Sequence, residues 1–141
     1  MPKKNQTTHH SSSFPEIEDA EHIVRGQGAF IHILESNRLG SRGFYELAPD
    51  GSVERTRLPL EEKLTQIEGE SIVTVYEEEQ GPIVHHLSHG SELCILPGKD
   101  HIHVNQSGRL SLTKWEFEGD ATALIDAWRR EARRREVGND K

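Results

Sequence analysis

His101, His103 and Asn105 alternate with Ile102 and Val104. Successive side chains of a strand point to opposite faces, so this spacing puts two imidazoles and an amide on one face. An imidazole titrates near neutrality and can both take up and return a proton. Three polar side chains facing together predict the wall of a cavity rather than a packed core. Turn chemistry frames the segment: Gly90, then the apolar run Leu93-Cys94-Ile95-Leu96, then the Pro97-Gly98 pair ahead of His101.

This stretch resembles the second motif of the cupins, small antiparallel β-barrels. That motif runs Gly, five residues, Pro, one residue, Gly, two residues, His, three residues, Asn. Here the gap from Gly90 to Pro97 is one residue longer and Pro97-Gly98 lacks the intervening residue, while the Gly98–His101 and His101–Asn105 spacings match. Upstream, Glu62 followed by six residues and Gly69 is similar to the first motif, and Ile67-Glu68-Gly69-Glu70 resembles its hairpin. The likeness spans residues 28–118. It implies an all-β, cupin-type antiparallel barrel (a double-stranded β-helix) in which His101 and Glu62 belong to the site. It does not imply one activity, because the superfamily includes oxygenases, isomerases, epimerases, decarboxylases, storage proteins and sensors.

Metal-binding cupins supply two histidines one residue apart and a glutamate from the first motif, then the histidine of the second. Glu62 and His101 match two of those places, but the histidine pair is absent. Counting back from Glu62, one spacing puts Arg55 and Arg57 there and the other puts Thr56 and Leu58. A slip of one residue exchanges inside for outside. Inward arginines would give the pocket two cations suited to a carboxylate or phosphate. They offer a metal nothing, since guanidinium has no lone pair. Inward Thr56 and Leu58 would leave a drier cavity and solvated arginines.

Other histidines provide a second route to a divalent metal: His103 beside His101, either His85 or His86 on the strand candidate 83–87, and His32. The metal candidates are therefore His101, His103, Glu62 and His86. Without a metal, His101 is the acid–base residue with Glu62 to orient it, and Tyr45 or Tyr76 is a candidate acid partner. Arg55, Arg57, His103, Asn105, His85 and Tyr76 are the candidate ligand contacts. Three readings stay open. One is a metal-independent isomerase- or epimerase-type enzyme acting on a small polar or anionic metabolite, sugar-like or carboxylate. Another is a non-catalytic binding or structural cupin. The third is a metal-dependent oxygenase or isomerase with an atypical ligand set.

Nine strand candidates position these residues: 29–35, 43–47, 52–58, 63–67, 71–77, 83–87, 92–96, 101–105 and 110–117. Gly-, Pro- and Asn-rich turns separate them. No βαβ alternation occurs. Residues 1–13 are polar and predicted to be a disordered tail, and 14–118 form the barrel domain. Phe14-Pro15 opens a short predicted helix through Val24, with Ile17, Ala20 and Val24 on one face. Residues 119–141 are predicted to be a C-terminal helix and polar tail, capped by Asp120, with Leu124, Ile125 and Trp128 as its apolar stripe.

A length of 141 residues fits one domain. The formal net charge of −7 argues against nucleic acid as a partner, since such binding relies on neutralising phosphates. The arginines at 129, 130, 133, 134 and 135 run against that balance and read as a solvated helix face, with Glu131 and Arg135 spaced for an ion pair. The single cysteine, Cys94, allows no internal disulfide and is expected to be a buried, inert thiol. No apolar run reaches the length of a membrane span. The expectation is a soluble cytoplasmic protein that binds a small molecule and forms a homodimer through a free sheet edge.

Overall fold

The computed structural model describes Ile17 and residues 20–139, with side chains as far as Arg135. Among the described residues it contains ten strands and one helix. In chain order these are β1 Glu21–Gly26, β2 Ala29–Asn37, β3 Gly40–Leu47, β4 Ser52–Arg57, β5 Glu62–Glu68, β6 Ser71–Glu77, β7 Gly81–Leu87, β8 Glu92–Ile95, β9 Asp100–Val104, β10 Ser111–Glu118 and α1 Thr122–Asn139. A six-stranded sheet runs β1-β2-β3-β10-β5-β8, and a four-stranded sheet runs β4-β9-β6-β7. Every pairing is antiparallel.

All nine strand candidates are strands, within one to three residues at their ends. Their inner faces carry the alternating apolar residues that the pattern requires. Ile31, Tyr45, Leu47, Leu64, Trp115 and Phe117 from the larger sheet meet Val53, Val73 and Val75 from the smaller in one core. Gly43 shows how tight this packing is. A Cβ there would sit 2.4 Å from the Trp115 ring and 2.0 Å from the His32 carbonyl oxygen, so the indole lies on bare backbone. Gly69 makes the β5–β6 turn with a positive φ of 71°, a conformation that side chains rarely adopt.

The predicted N-terminal helix is corrected. Residues Glu21–Gly26 are a strand, paired through His22↔His32, Ile23↔Ile31 and Val24↔Phe30. Phe14 to Glu16 lie outside the described residues. Helical spacing of Ile17, Ala20 and Val24 loses to the pairing offered by the edge of β2 and to the β-branched Ile23-Val24 pair. Ile17 and Ala20 are buried, but Val24 is exposed on the outer face.

Cys94 is also corrected. The thiol is exposed on β8, the edge strand of the six-stranded sheet, opposite Lys63. What burial it has, together with the Glu61 carboxylate beside it, holds its pKa above the ordinary thiol value.

The C-terminal helix forms as expected. Asp120 Oδ1 accepts from the Thr122 amide at 3.0 Å and its hydroxyl at 2.6 Å, which caps the first turn. Ala121, Ile125, Trp128 and Ala132 are buried along one stripe. Trp128 stands edge-on to Trp115 at 5.3 Å and tilted to Tyr45 and Phe117 at 6.2 Å. Arg129 ties the helix to Glu21 on β1 at 2.8 Å, and Arg135 reaches Glu54 on β4 at 3.8 Å, so α1 straddles the gap between the two sheets. Part of the arginine cluster thus fastens the helix, and Arg135 pairs with Glu131 at 3.7 Å as its spacing predicts. No helix among the described residues is long and apolar enough to cross a membrane.

Candidate functional site

β9 is a central strand of the smaller sheet, between β4 and β6. His101 stands opposite Thr56 and Val75, and His103 opposite Val53 and Val73, so both imidazoles face the barrel interior as the alternation predicts. β5 and β3 of the facing sheet send Glu62 and Tyr45 toward them. The Tyr45 hydroxyl donates to Glu62 Oε2 at 2.6 Å, and Glu62 Oε1 lies 3.5 Å from His101 Nε2. That second distance makes an ion-pair contact rather than a hydrogen bond. The imidazole at 101 and the carboxylate at 62 therefore meet inside the barrel.

The carbonyl of Lys99 sits 3.1 Å from His101 Nδ1 and can only accept, so Nδ1 carries a proton. Nε2, facing Glu62, is then the nitrogen that titrates. Burial alone would lower the His101 pKa. Glu62, the Lys99 carbonyl and Asp100 outweigh it, and the pKa ends above the ordinary imidazole value. Burial, then the Glu62 charge and hydrogen bond, push the Tyr45 hydroxyl well above its usual value, so it remains a proton donor. His103 lies edge-on to Tyr45 at 5.5 Å. Burial first and the neighbouring His101 second lower its pKa to about 3, so it is neutral at physiological pH.

This corner of the interior holds orphaned polar atoms. Glu62 Oε1 and both ring nitrogens of His103 are buried without a hydrogen-bond partner among the described residues, as is Trp115 Nε1. Nearly all buried polar atoms in native proteins are paired, so such a group asks for an explanation, and an incoming ligand is one.

A second buried polar cluster in the same barrel is closed. Gln66 Oε1 accepts from Ser71 and Thr113 hydroxyls at 2.8 and 2.7 Å, and its Nε2 donates to Ser111 Oγ and the Glu68 carbonyl, both at 2.9 Å. Sequence reasoning missed this cluster. The signal was Gln66 itself, two residues beyond Leu64 and so on the inner face of β5.

Asn105 is fully buried but is committed to the backbone. Its amide reaches the Leu47, Ala48 and Arg109 carbonyls at 3.0, 3.2 and 2.7 Å, and its oxygen accepts from the Ser107 amide and hydroxyl. It fastens the loops flanking β9, with no donor left for a ligand, which corrects its place among the ligand contacts.

The inward-arginine register is corrected by a β-bulge. Val53 pairs with His103 and Thr56 with His101, so β4 has one residue more than β9 between those pairs. Val53, Thr56 and Leu58 all turn inward, which strict alternation forbids. Arg55 and Arg57 are exposed and converge on Asp100 at 3.1 and 2.9 Å. Tyr76 shares that outer face, with the Arg55 guanidinium 3.9 Å from its ring centroid, so Tyr76 is not in the interior either. His85, opposite the buried Val73, keeps the inner face but lies half-buried on the edge strand β7. His86 pairs with Ile72 and is exposed outside. His32 is on the outer face, where its ring faces His22 and its Nε2 meets Glu46 Oε1 at 2.6 Å.

A divalent metal needs several converging donors. Among the described residues, no group of three His, Cys, Asp or Glu side chains is placed to hold one. His86 points away, Tyr45 occupies Glu62 Oε2, and the two inner positions preceding Glu62 carry Thr56 and Leu58. The candidate set of His101, His103, Glu62 and His86 therefore does not fit a metal among the described residues.

No family model and no curated protein matches the chain by sequence. Solved structures do match in shape. An RmlC-like cupin from Shewanella frigidimarina is 17% identical with a TM-score of 0.64, over 82% of this chain and 96% of that one. Oxalate decarboxylase of Bacillus subtilis (S161A mutant) is 15% identical with a TM-score of 0.66, over 74% of this chain and 29% of that one. An oxalate oxidase in complex with the substrate analogue glycolate is 18% identical with a TM-score of 0.54, over 57% of this chain and 42% of that one. The match thus spans less than half the length of either oxalate enzyme. Two sheets of these strands, closed around paired inner faces and similar in shape to these structures, give the chain the cupin fold.

Proposed function

We propose that this cupin-fold chain binds a small polar molecule in its barrel and transfers a proton to or from it without a metal. His101 Nε2 carries the proton, Glu62 holds the charge that sustains it, and Tyr45 fixes Glu62. The observation that carries this reading is the buried Glu62 carboxylate, with one oxygen held by Tyr45 at 2.6 Å and the other, without a hydrogen-bond partner among the described residues, in ion-pair contact with the titrating nitrogen at 3.5 Å. A buried carboxylate facing an imidazole of raised pKa is a common arrangement for general acid–base catalysis.

The reaction class that suits this pair is proton exchange at a carbon next to a carbonyl, as in isomerisation or epimerisation. It is tested by NMR in deuterated water with a panel of hydroxyaldehydes and hydroxyketones. Wild-type protein should introduce deuterium at the carbon beside the carbonyl, and His101→Gln should abolish that exchange while leaving binding within a few-fold. A second reading, a binding cupin without turnover, is favoured by the Trp115 and Trp128 rings packed against Tyr45, with Phe117 against both tryptophans. Binding that depends on His101 with no deuterium exchange in wild type selects this second reading. We also propose a homodimer joined through the edge strands of the larger sheet. A sedimentation mass near 16.0 kDa at micromolar concentration rejects it.

A further inference from the structure

An antiparallel sheet with one face in water alternates apolar residues inward with polar residues outward. The smaller sheet departs from that rule. Its inner face carries the buried Val73 and Val75, yet its outer face carries Ile72 on β6, Ile102 and Val104 on β9, and Val84 on β7. Cross-strand pairing joins them into one patch: Ile72 lies opposite Val104, and Thr74 lies opposite Ile102 on one side and Val84 on the other. Val84 is 54% exposed, while Ile72, Ile102 and Val104 are half-buried. The larger sheet differs, since its outward Phe44 and Leu112 are buried in a second cluster with Ile17. No such cluster covers the smaller sheet among the described residues. A contiguous apolar patch left at the surface marks a contact site.

Charge and size indicate what fits it. At one end of the patch, beside Tyr76, Arg55 and Arg57 share the single Asp100 carboxylate, which leaves one positive charge over. At the other end Glu70 is exposed, and with Ile72 and His86 it borders an open hollow. A second copy laid face to face, with a two-fold axis crossing the strands at Thr74, brings each basic end over the acidic end of the other. Two copies of a chain with net charge −7 repel at long range, so this arrangement places attracting charges at the point of contact. These rim charges set the orientation and add little to the affinity. Seven residues of β6 and the width of four strands give a face of about 23 Å by 19 Å. Two such faces cover about 900 Å² before side-chain relief is counted, which is near the lower margin of specific interfaces and suits a reversible dimer.

We propose that the outer face of the smaller sheet is a self-association surface, on which a second copy of this chain packs with its strands antiparallel. Thr74, Ile102 and Val84 lie along the two-fold axis, so each stands next to its own counterpart. The edge strands of the larger sheet take no part, and the contact forms whatever the barrel binds.

The test is sedimentation equilibrium of the full chain over micromolar concentrations. Wild type should associate reversibly above 16.0 kDa. Val84→Lys and Val84→Glu should each weaken that association at least about tenfold, because two like charges would meet in an apolar contact. Val84→Ile should preserve it. Val84 is exposed in the single chain, so the melting temperature of dilute variant protein should match wild type and excludes a folding defect. An equimolar mixture of the lysine and glutamate variants should recover association, since each lysine then faces a glutamate. A wild-type chain that stays at 16.0 kDa overturns the proposal. So does association that both charged variants leave intact, a result that would place the contact on the larger sheet instead. A mixture that stays dissociated overturns the two-fold arrangement on which the proposal rests.

Discussion

Two polar clusters are buried in one barrel, and only one of them is complete. Around Gln66, the amide oxygen accepts twice and the amide nitrogen donates twice, with Ser71, Thr113, Ser111 and Glu68 as partners. Around Glu62, one carboxylate oxygen and both His103 nitrogens have no partner among the described residues. Both clusters are equally hidden from solvent, with Gln66 and Glu62 each 1% exposed. Burial therefore does not separate the two clusters. Hydrogen bonding does: the Gln66 network has every bond of its amide made, whereas the Glu62 cluster has donors and acceptors without partners among the described residues.

The largest effect expected from this contrast is on stability. Gln66→Leu removes the hub and strands several buried hydroxyls and a carbonyl, and each unsatisfied group costs about 1–3 kcal/mol. We expect a loss of about 3 kcal/mol in denaturant unfolding, with the His101 titration unchanged. Glu62→Gln should do the reverse. It should leave unfolding within about 1 kcal/mol, because the lost interaction is one hydrogen bond and one long ion pair. It should also drop the His101 pKa toward or below its ordinary value by removing the influence that opposes burial. A Glu62→Gln protein as damaged as Gln66→Leu would erase the distinction between the clusters.

The next effect is a pH dependence whose two halves have opposite sign. His101 has a raised pKa in the folded chain, so its contribution to stability is full below the ordinary value of 6.5 and is lost as pH rises through the folded value. His103 is lowered to about 3, so its contribution is present above 6.5 and declines as pH falls from there toward 3. His22 on β1 is lowered as well, by burial first and by His32 second, with Glu46 opposing, and it adds to the acid-side loss. Urea unfolding across pH 4–9 should show the acid-side loss shrink in His103→Leu, since an apolar side chain there has no proton to gain. An acid limb unchanged in that variant would mean that His103 is solvated in the folded chain and that its missing partners are water.

Much of the architecture was legible in the sequence because short strands with polar turns announce themselves through alternation. His101 and His103 were placed on the right face by that rule alone. The rule failed where pairing, not pattern, decides. The bulge in β4 adds one residue between Val53 and Thr56 and so overrides a strict period of two, which no count along a single strand can reveal. Ile17, Ala20 and Val24 fit a helical spacing, but the edge of β2 supplies a competing partner for Glu21–Gly26. Asn105 shares the face of His101, yet its bonds go to Leu47, Ala48 and Arg109, a destination set by loops distant in sequence. Within the site, Glu62 was found through motif spacing and Tyr45 only as one of two tyrosines. What separates Tyr45 from Tyr76 is that one faces in and the other lies under Arg55.

The smallest expected effect lies on the far side of β9 and sharpens the contrast between its two faces. Asp100, one residue before His101, points outward and binds both Arg55 and Arg57. Asp100 has its pKa lowered chiefly by the Arg57 hydrogen bond, against a smaller cost of burial, and all three groups meet solvent. Exposed ion pairs contribute little because water and salt screen them. Replacing both arginines by glutamine should therefore leave the melting temperature and the His101-dependent binding of any small-molecule probe unchanged within error. A double variant that loses affinity for anionic probes alone would mean that the arginines reach the ligand, and that the face of β9 on which a residue sits does not decide its part in the site.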